Sequence, residues 1–230
     1  ATLDPLADDD AIAAGVGAGF GLMLELVPLV AARRTEPGDD LLSALVNGAD
    51  GLPAEDAIPL ALLLLAAGHE TTANLVGNAV VALHDHPDVA RAVRADRRLL
   101  PKLVDELLRY DGPVQLASRI ALQDCTAGGA EVAAGDQVLI GIGAANRDPA
   151  AFECPDEIRL DRKGGHLAFG HGRHFCAGAA LARIETQEIL DRLLDLPIAI
   201  ETADIQLERG TSATFRRVER LSLTAHRMPA

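Results

Sequence analysis

The sequence is short of positive charge. Twenty-one Lys and Arg stand against 34 Asp and Glu across 230 residues, a formal net charge of −13. A general nucleic-acid binder needs a basic surface to displace phosphate counterions, so that class is disfavoured and no nucleic-acid partner is expected. Cysteine is also scarce. Cys125, Cys154 and Cys176 are odd in number, far apart and never in a CxxC pair, which argues against a disulfide framework or a zinc ribbon. A reducing cytoplasm fits such usage. No run approaches the roughly 18 uninterrupted apolar residues of a membrane span, the longest lying around Leu60 to Ala67 and Leu22 to Val30. The N-terminus, ATLDPLADDD, is acidic where a signal peptide is basic. A soluble, untargeted chain is expected, with no membrane partner. It does not begin with Met, so Ala1 is not expected to be the biological start. Internal repeats are absent as well.

What is present is a 49% hydrophobic composition, enough to bury a sizeable core in one domain or at most two. Ala and Leu content predicts a helix from Asp8 to Arg34, weakened by Pro28 and by glycines at 15, 17, 19 and 21. That glycine run lacks the preceding strand of a dinucleotide fingerprint, and close helix packing is the expected reason for it. EPGDD is a turn with capping aspartates opening a short helix, Asp40 to Val46. A long helix is predicted from Ala54 to His84, with Pro59 ending its first turns or kinking it. Helices from Asp88 to Ala95 and Leu99 to Tyr110 follow. After Asp111-Gly112-Pro113 the texture changes to a small β region, with strands at Arg119 to Leu122, Glu131 to Ala133 and Gln137 to Ile142. Residues 143–175 form a long structured loop, unusual enough to suggest function. A helix from Ala177 to Leu194 and a terminal hairpin, Ile205 to Leu207 with Arg220 to Ala225, complete a mainly α chain.

The strongest chemical signal is HLAFGHGRHFCAGAALARIE, residues 166–185. Gly170 and Gly172 permit a tight loop, Cys176 sits at its end, and Gly178 with the small residues after it begins a helix. A thiolate there is stabilised by the helix N-terminus and backbone N–H groups, which suits an anionic iron ligand. The plain alternative for a lone cysteine is a small buried hydrophobe. A zinc site from His171, His174 and Cys176 matches no common ligand spacing. The segment resembles the cysteine-ligand loop of cytochromes P-450, matching FGxGxHxCxG at every fixed position from Phe169 to Gly178.

Two further motifs stand in that family's order. Glu106-Leu107-Leu108-Arg109 reproduces ExxR, in which an acid and a base at i, i+3 share one helix face. Alone it is a weak signal, because exposed pairs at this spacing are common. The resemblance implies a buried structural set completed by Arg162, on the pattern FxPxxFxxxR from Phe152 and Pro155, with Ile158 replacing the usual Phe. In Ala67-Gly68-His69-Glu70-Thr71-Thr72 a glycine and threonines interrupt good helix formers, and a carboxylate among leucines is costly to bury unless it is used. A threonine hydroxyl bonding back to the preceding turn is the simpler reading. The segment is similar to the family's [A/G]Gx[D/E]T signature, which implies a helix opened over the haem and a proton relay through Glu70 and Thr71.

The resemblance implies the rest residue by residue. Arg119 and His174 would pair with haem propionates, and Phe169, Gly170 and Gly178 would shape the loop around the cofactor, haem b (iron protoporphyrin IX). Leu63, Ala66, Ala67, Gly68, Val114 and Phe215 would line the substrate pocket, with ordinary core as the alternative for each. The expected fold is the cytochrome P-450 fold, C-terminal portion only, since complete members carry a further N-terminal section. The implied activity is a monooxygenase of secondary metabolism. It would insert one atom of dioxygen into a small apolar or amphipathic organic substrate, with electrons from a ferredoxin or flavodoxin and its reductase. Two rivals are a catalytically silent homologue that activates another enzyme and a peroxide-using peroxygenase. Retention of Cys176 disfavours the first, and the Glu70-Thr71 pair disfavours both.

Overall fold

The computed structural model describes residue 4 and residues 6–225. The chain divides into two compact units, Ala1–Glu70 and Thr71–Ala230. In the first, helix α1 (Asp9–Thr35) starts where the Asp8 carboxylate accepts from the Ala11 N–H at 2.8 Å, with Asp9 and Asp10 in its first turn and Arg33 and Arg34 in its last. These charges oppose the helix dipole at both ends. Asp40 caps α2 (Leu41–Asn47) in the same way, accepting from Ser43 N at 2.7 Å. The start of α3 (Ala54–Asp85) contributes Ala57 to a small core with Val30 and Val46.

Several expectations change in this unit. Both Pro28 and Pro59 lie inside continuous helices. Pro59 falls early in α3, where its missing N–H removes one hydrogen bond without ending the helix. The same helix continues from Ala67 through Thr72. Close packing is not seen at three of the α1 glycines: a Cβ at Gly17 or Gly21 would meet nothing within 4 Å, and one at Gly19 only the tip of Leu62 at 4.0 Å. Much of α1 is apolar yet exposed, including Val16, Phe20, Leu24 and Val27. By length and composition, α1 and α3 are each apolar enough to cross a membrane. That property is shared with core helices of water-soluble proteins, and it escaped a search for unbroken apolar runs because each helix carries glycines or single charges.

The second unit places α4 (Pro87–Ala95), α5 (Leu100–Asp111) and α7 (Ala179–Asp195) around one core that includes Leu75, Leu83, Leu103, Leu107, Leu190 and Leu194. Three antiparallel strand pairs flank it. β1 (Leu116–Ile120) pairs with β4 (Gln137–Gly141), β2 (Cys125–Ala127) with β3 (Ala130–Val132), and β5 (Asp204–Arg209) with β6 (Val218–Thr224). Strand β2 was not expected. It is a three-residue, fully exposed strand whose turn, Gly128-Gly129, takes positive φ at both residues. The loop expected over 143–175 begins inside a short helix, α6 (Ile142–Ala145), and holds a 3-10 turn at Gly172–His174.

Leu103 is fully buried on α5 at the centre of this core. Leu103→Ala should lower the unfolding free energy by about 2–5 kcal/mol, read from urea midpoints.

Candidate functional site

The segment around Cys176 is shaped by its glycines. Gly170 and Gly172 hold φ of 72° and 74°, values that a side chain disfavours. The loop closes on itself where Gly170 N donates to Leu167 O at 2.8 Å, Phe175 N to Gly172 O at 3.0 Å, and Cys176 N to Phe169 O at 2.9 Å. Cys176 is exposed, against the usual habit of cysteine, and α7 begins three residues later. The same loop and helix expose Phe175, Leu181 and Ile184 at 52%, 59% and 58%. A soft thiol standing at an apolar surface fits the iron and the flat apolar face of a haem.

Behind the loop lies an ion set taken almost fully out of water. Arg109 is 2% exposed and grips Glu106 with two hydrogen bonds, Nε to Oε2 and Nη2 to Oε1, both 2.9 Å. Its remaining donors reach the carbonyls of Asn146 at 3.0 Å, Pro155 at 2.8 Å and Glu157 at 2.9 Å. Arg162 Nε joins Glu106 Oε1 at 3.0 Å, as does the Arg159 N–H at 2.9 Å. Other donors of Arg162 hold the carbonyls of Glu153 at 2.7 Å and Cys154 at 3.1 Å. Cys154 takes a φ of 46°, the one positive value outside glycine among the described residues. Phe152 lies under both guanidinium groups, with ring-centroid distances of 5.4 Å to Arg109 and 6.0 Å to Arg162. Burial pushes the Glu106 carboxyl up. Hydrogen bonds from Arg109, the Arg159 N–H and Arg162 outweigh this and hold it below the ordinary carboxylate value.

Beside this set is a cluster that the motifs did not announce. Arg183 on α7 donates from Nε to Asp105 Oδ1 on α5 at 2.7 Å, and its guanidinium sits 4.6 Å from the centre of the Phe169 ring. His166 reaches the same Asp105 oxygen at 3.4 Å, while its Nδ1 accepts from Ala168 N at 3.2 Å. That acceptance puts the proton of the neutral ring on Nε2, facing Asp105. Burial lowers the His166 pKa, against a smaller upward pull from Asp105.

The remaining expected residues are placed as follows. Arg119 and His174 are exposed, and Arg119 Nη1 donates to the neighbouring Ser118 O at 2.8 Å. Gly178 is exposed, and a Cβ there would stand 3.9 Å from the Cys176 Sγ. Thr71 is half-buried in the second unit, whereas Glu70, Leu63, Ala66, Ala67 and Gly68 belong to the first. Val114 bridges to Phe215 as an isolated antiparallel pair. Phe215 is buried at 7%, and Val114 lines a polar cavity of about 190 Å³ with Asp111, Gln115, Arg147 and Arg216. Burial raises the Asp111 carboxyl despite three nearby arginines. Among the described residues, no group of three or more His, Cys, Asp or Glu side chains could hold a metal ion.

A helical chain with a glycine-shaped loop offering an exposed thiol, backed by a buried carboxylate and two arginines, has the features of a haem-thiolate protein. A profile of the family described as Cytochrome P-450 matches residues 31–196. Cytochrome P-450 107B1 of Saccharopolyspora erythraea is 43% identical over 89% of this chain and 52% of its own length. Vitamin D(3) 25-hydroxylase of Pseudonocardia autotrophica is 41% identical over 96% of this chain and 56% of its own. The crystal structure of P-450 BioI, in complex with an acyl carrier protein ligated to hexadec-9Z-enoic acid, superposes with a TM-score of 0.90. It is 35% identical over 98% of this chain and 58% of that one. The chain belongs to the cytochrome P-450 family and has its mainly helical fold. It spans about half the length of the curated relatives it matches.

Removing one member of the buried ion set leaves its partners uncompensated. Glu106→Ala should cost about 3–5 kcal/mol in denaturant unfolding. The pH dependence follows from the depressed pKa of Glu106. Its stabilising contribution is complete above the unfolded value of 4.5 and is lost as pH falls through the lower folded value. Glu106→Gln should therefore flatten the acid side of the stability–pH profile, and an unchanged profile would place the stabilisation elsewhere.

Proposed function

We propose that residues 1–230 are the C-terminal part of one haem-thiolate monooxygenase domain, acting in the cytoplasm, in which Cys176 ligates the iron of haem b. The observation that carries this reading is the exposed Cys176 thiol at the end of a loop set by two positive-φ glycines and closed on the Phe169 carbonyl. When bound, the haem supplies dioxygen activation and insertion of one oxygen atom into substrate, the other leaving as water.

The chain's own residues position and protonate. The Cys176 side chain binds as thiolate, and the start of α7 helps to hold that negative charge. Arg119, exposed on β1, brings a guanidinium and His174, exposed on the 3-10 turn, a ring N–H, donors suited to the two propionates. Glu70 and Thr71 are adjacent on α3, and as a proton relay the carboxylate would take up a proton and the hydroxyl would pass it on. Glu106, Arg109 and Arg162 keep the loop of 146–162 in place behind the cysteine. The substrate is a small apolar or amphipathic organic molecule. This reading is supported by a relative that hydroxylates vitamin D(3) and by another bound to a fatty-acyl carrier protein. Electrons come from a ferredoxin or flavodoxin with its reductase.

Two measurements test the reading. Reduced, carbon monoxide-treated protein should show the red-shifted thiolate Soret band, and Cys176→His should lose it. A wild type without the band removes the assignment. In the whole enzyme with redox partners, Thr71→Ala should still bind substrate and consume reductant, while the ratio of product to hydrogen peroxide falls. An unchanged ratio returns Thr71 to an ordinary helix residue.

A further inference from the structure

Two elements distant in sequence meet at the cysteine loop through charge. Phe169 opens the loop and supplies the carbonyl that accepts the Cys176 N–H. Its ring is held from three sides: by the Arg183 guanidinium at 4.6 Å, by the His166 ring at 5.6 Å and by the Phe175 ring at 6.3 Å. A cation over an aromatic face is attracted by the ring's quadrupole, and the attraction requires the guanidinium to stay over that face. Arg183 is kept there by two acceptors, Asp105 Oδ1 at 2.7 Å and the Ala179 carbonyl, one turn back on α7, at 3.3 Å. Asp105 also accepts from His166, whose side chain is 8% exposed. One carboxylate on α5 thus orients a cation and an imidazole, the two groups that flank the ring next to the cysteine.

We propose that Asp105 and Arg183 are a positioning pair for the Cys176 loop, holding Phe169 in place and setting the electrostatic field at the thiolate. This rests on the haem-thiolate reading of Cys176. Neither residue belongs to the buried ion set of Glu106, although Asp105 directly precedes it. The two side chains are partly open, at 49% for Asp105 and 32% for Arg183, so each can be exchanged without burying a new charge. The two charges act oppositely on the iron. Reduction adds one negative charge to the centre, so a nearby cation favours the reduced form and a nearby anion disfavours it. Asp105→Asn retains an oxygen that accepts from Arg183 while removing the anion, and should raise the midpoint potential. Arg183→Gln removes the cation and its hold on Phe169, and should lower it.

The experiment is a spectroelectrochemical titration of the haem-loaded whole enzyme, wild type against Asp105→Asn, Arg183→Gln and Asp105→Glu, each first checked for the carbon monoxide Soret band. Shifts of opposite sign in the two charge-removing variants, with Asp105→Glu returning to the wild-type potential, uphold the proposal. Shifts of the same sign indicate a loop merely loosened, and no shift indicates a pair unconnected to the thiolate; either overturns it. Should Arg183→Gln fail to retain haem, Asp105→Asn decides alone, a raised potential upholding the pair and any other result overturning it. A wild type lacking the thiolate band defeats the haem-thiolate reading itself, and the proposal with it.

Discussion

A guanidinium taken out of water must find an acceptor for each of its donors, because a buried charge left without partners costs several kcal/mol. Arg109 meets that demand with one carboxylate and three backbone carbonyls. The carbonyls come from residues 146, 155 and 157, a stretch with neither strand nor α-helix. Such a stretch has no ladder of its own to fix its path, so the side chains of Arg109 and Arg162 substitute for one. The geometry at Glu106 propagates from there. Asn146, whose carbonyl Arg109 holds, accepts at its side chain from Leu167 N at 2.7 Å, and Leu167 in turn accepts the turn hydrogen bond of Gly170. A short chain of hydrogen bonds thus connects an ion pair on α5 to the first glycine of the cysteine loop.

The ion set and the Asp105 cluster use the same helix for different ends. Glu106 and Arg109 are at i, i+3 and turn inward, where burial makes any loss costly. Asp105 is one residue earlier, a rotation of about 100° around the helix, and meets solvent, His166 and Arg183. Adjacent acids on one turn therefore serve an internal tie and a surface-facing one. The first is fixed by desolvation, and the second is open to tuning by substitution.

Local rules made much of the chain legible. Ala and Leu content from Asp8 to Arg34 and the capping aspartates of EPGDD identify helices from residues close in sequence. The mainly α fold and the FGxGxHxCxG segment were readable for the same reason: their information is contiguous. Strand β2 was missed because three exposed residues carry no alternation, and the pairing is dictated by a Gly-Gly turn. Of the end or kink read at Pro59, the end is not taken, because the helix of 32 residues continues past it. Gly17, Gly19 and Gly21 of α1 were assigned a packing role, although the one side chain that comes near them is that of Leu62. The pairing of Asp105 with Arg183 spans 78 positions. No periodicity or spacing rule reaches that far, and only the folded geometry brings the two together.

The way Arg109 is satisfied bears on how the irregular segment opens. Ordinary surface loops fluctuate independently because releasing them uncovers nothing expensive. Here, lifting residues 155–157 away would strip acceptors from a buried cation, so the loop cannot fray alone at low cost. Its opening is tied to that of α5, and the two behave as one cooperative unit. Amide hydrogens there that are shielded only by this arrangement should exchange with solvent at the slow pace of the helix, although nothing in the segment's own secondary structure would slow them.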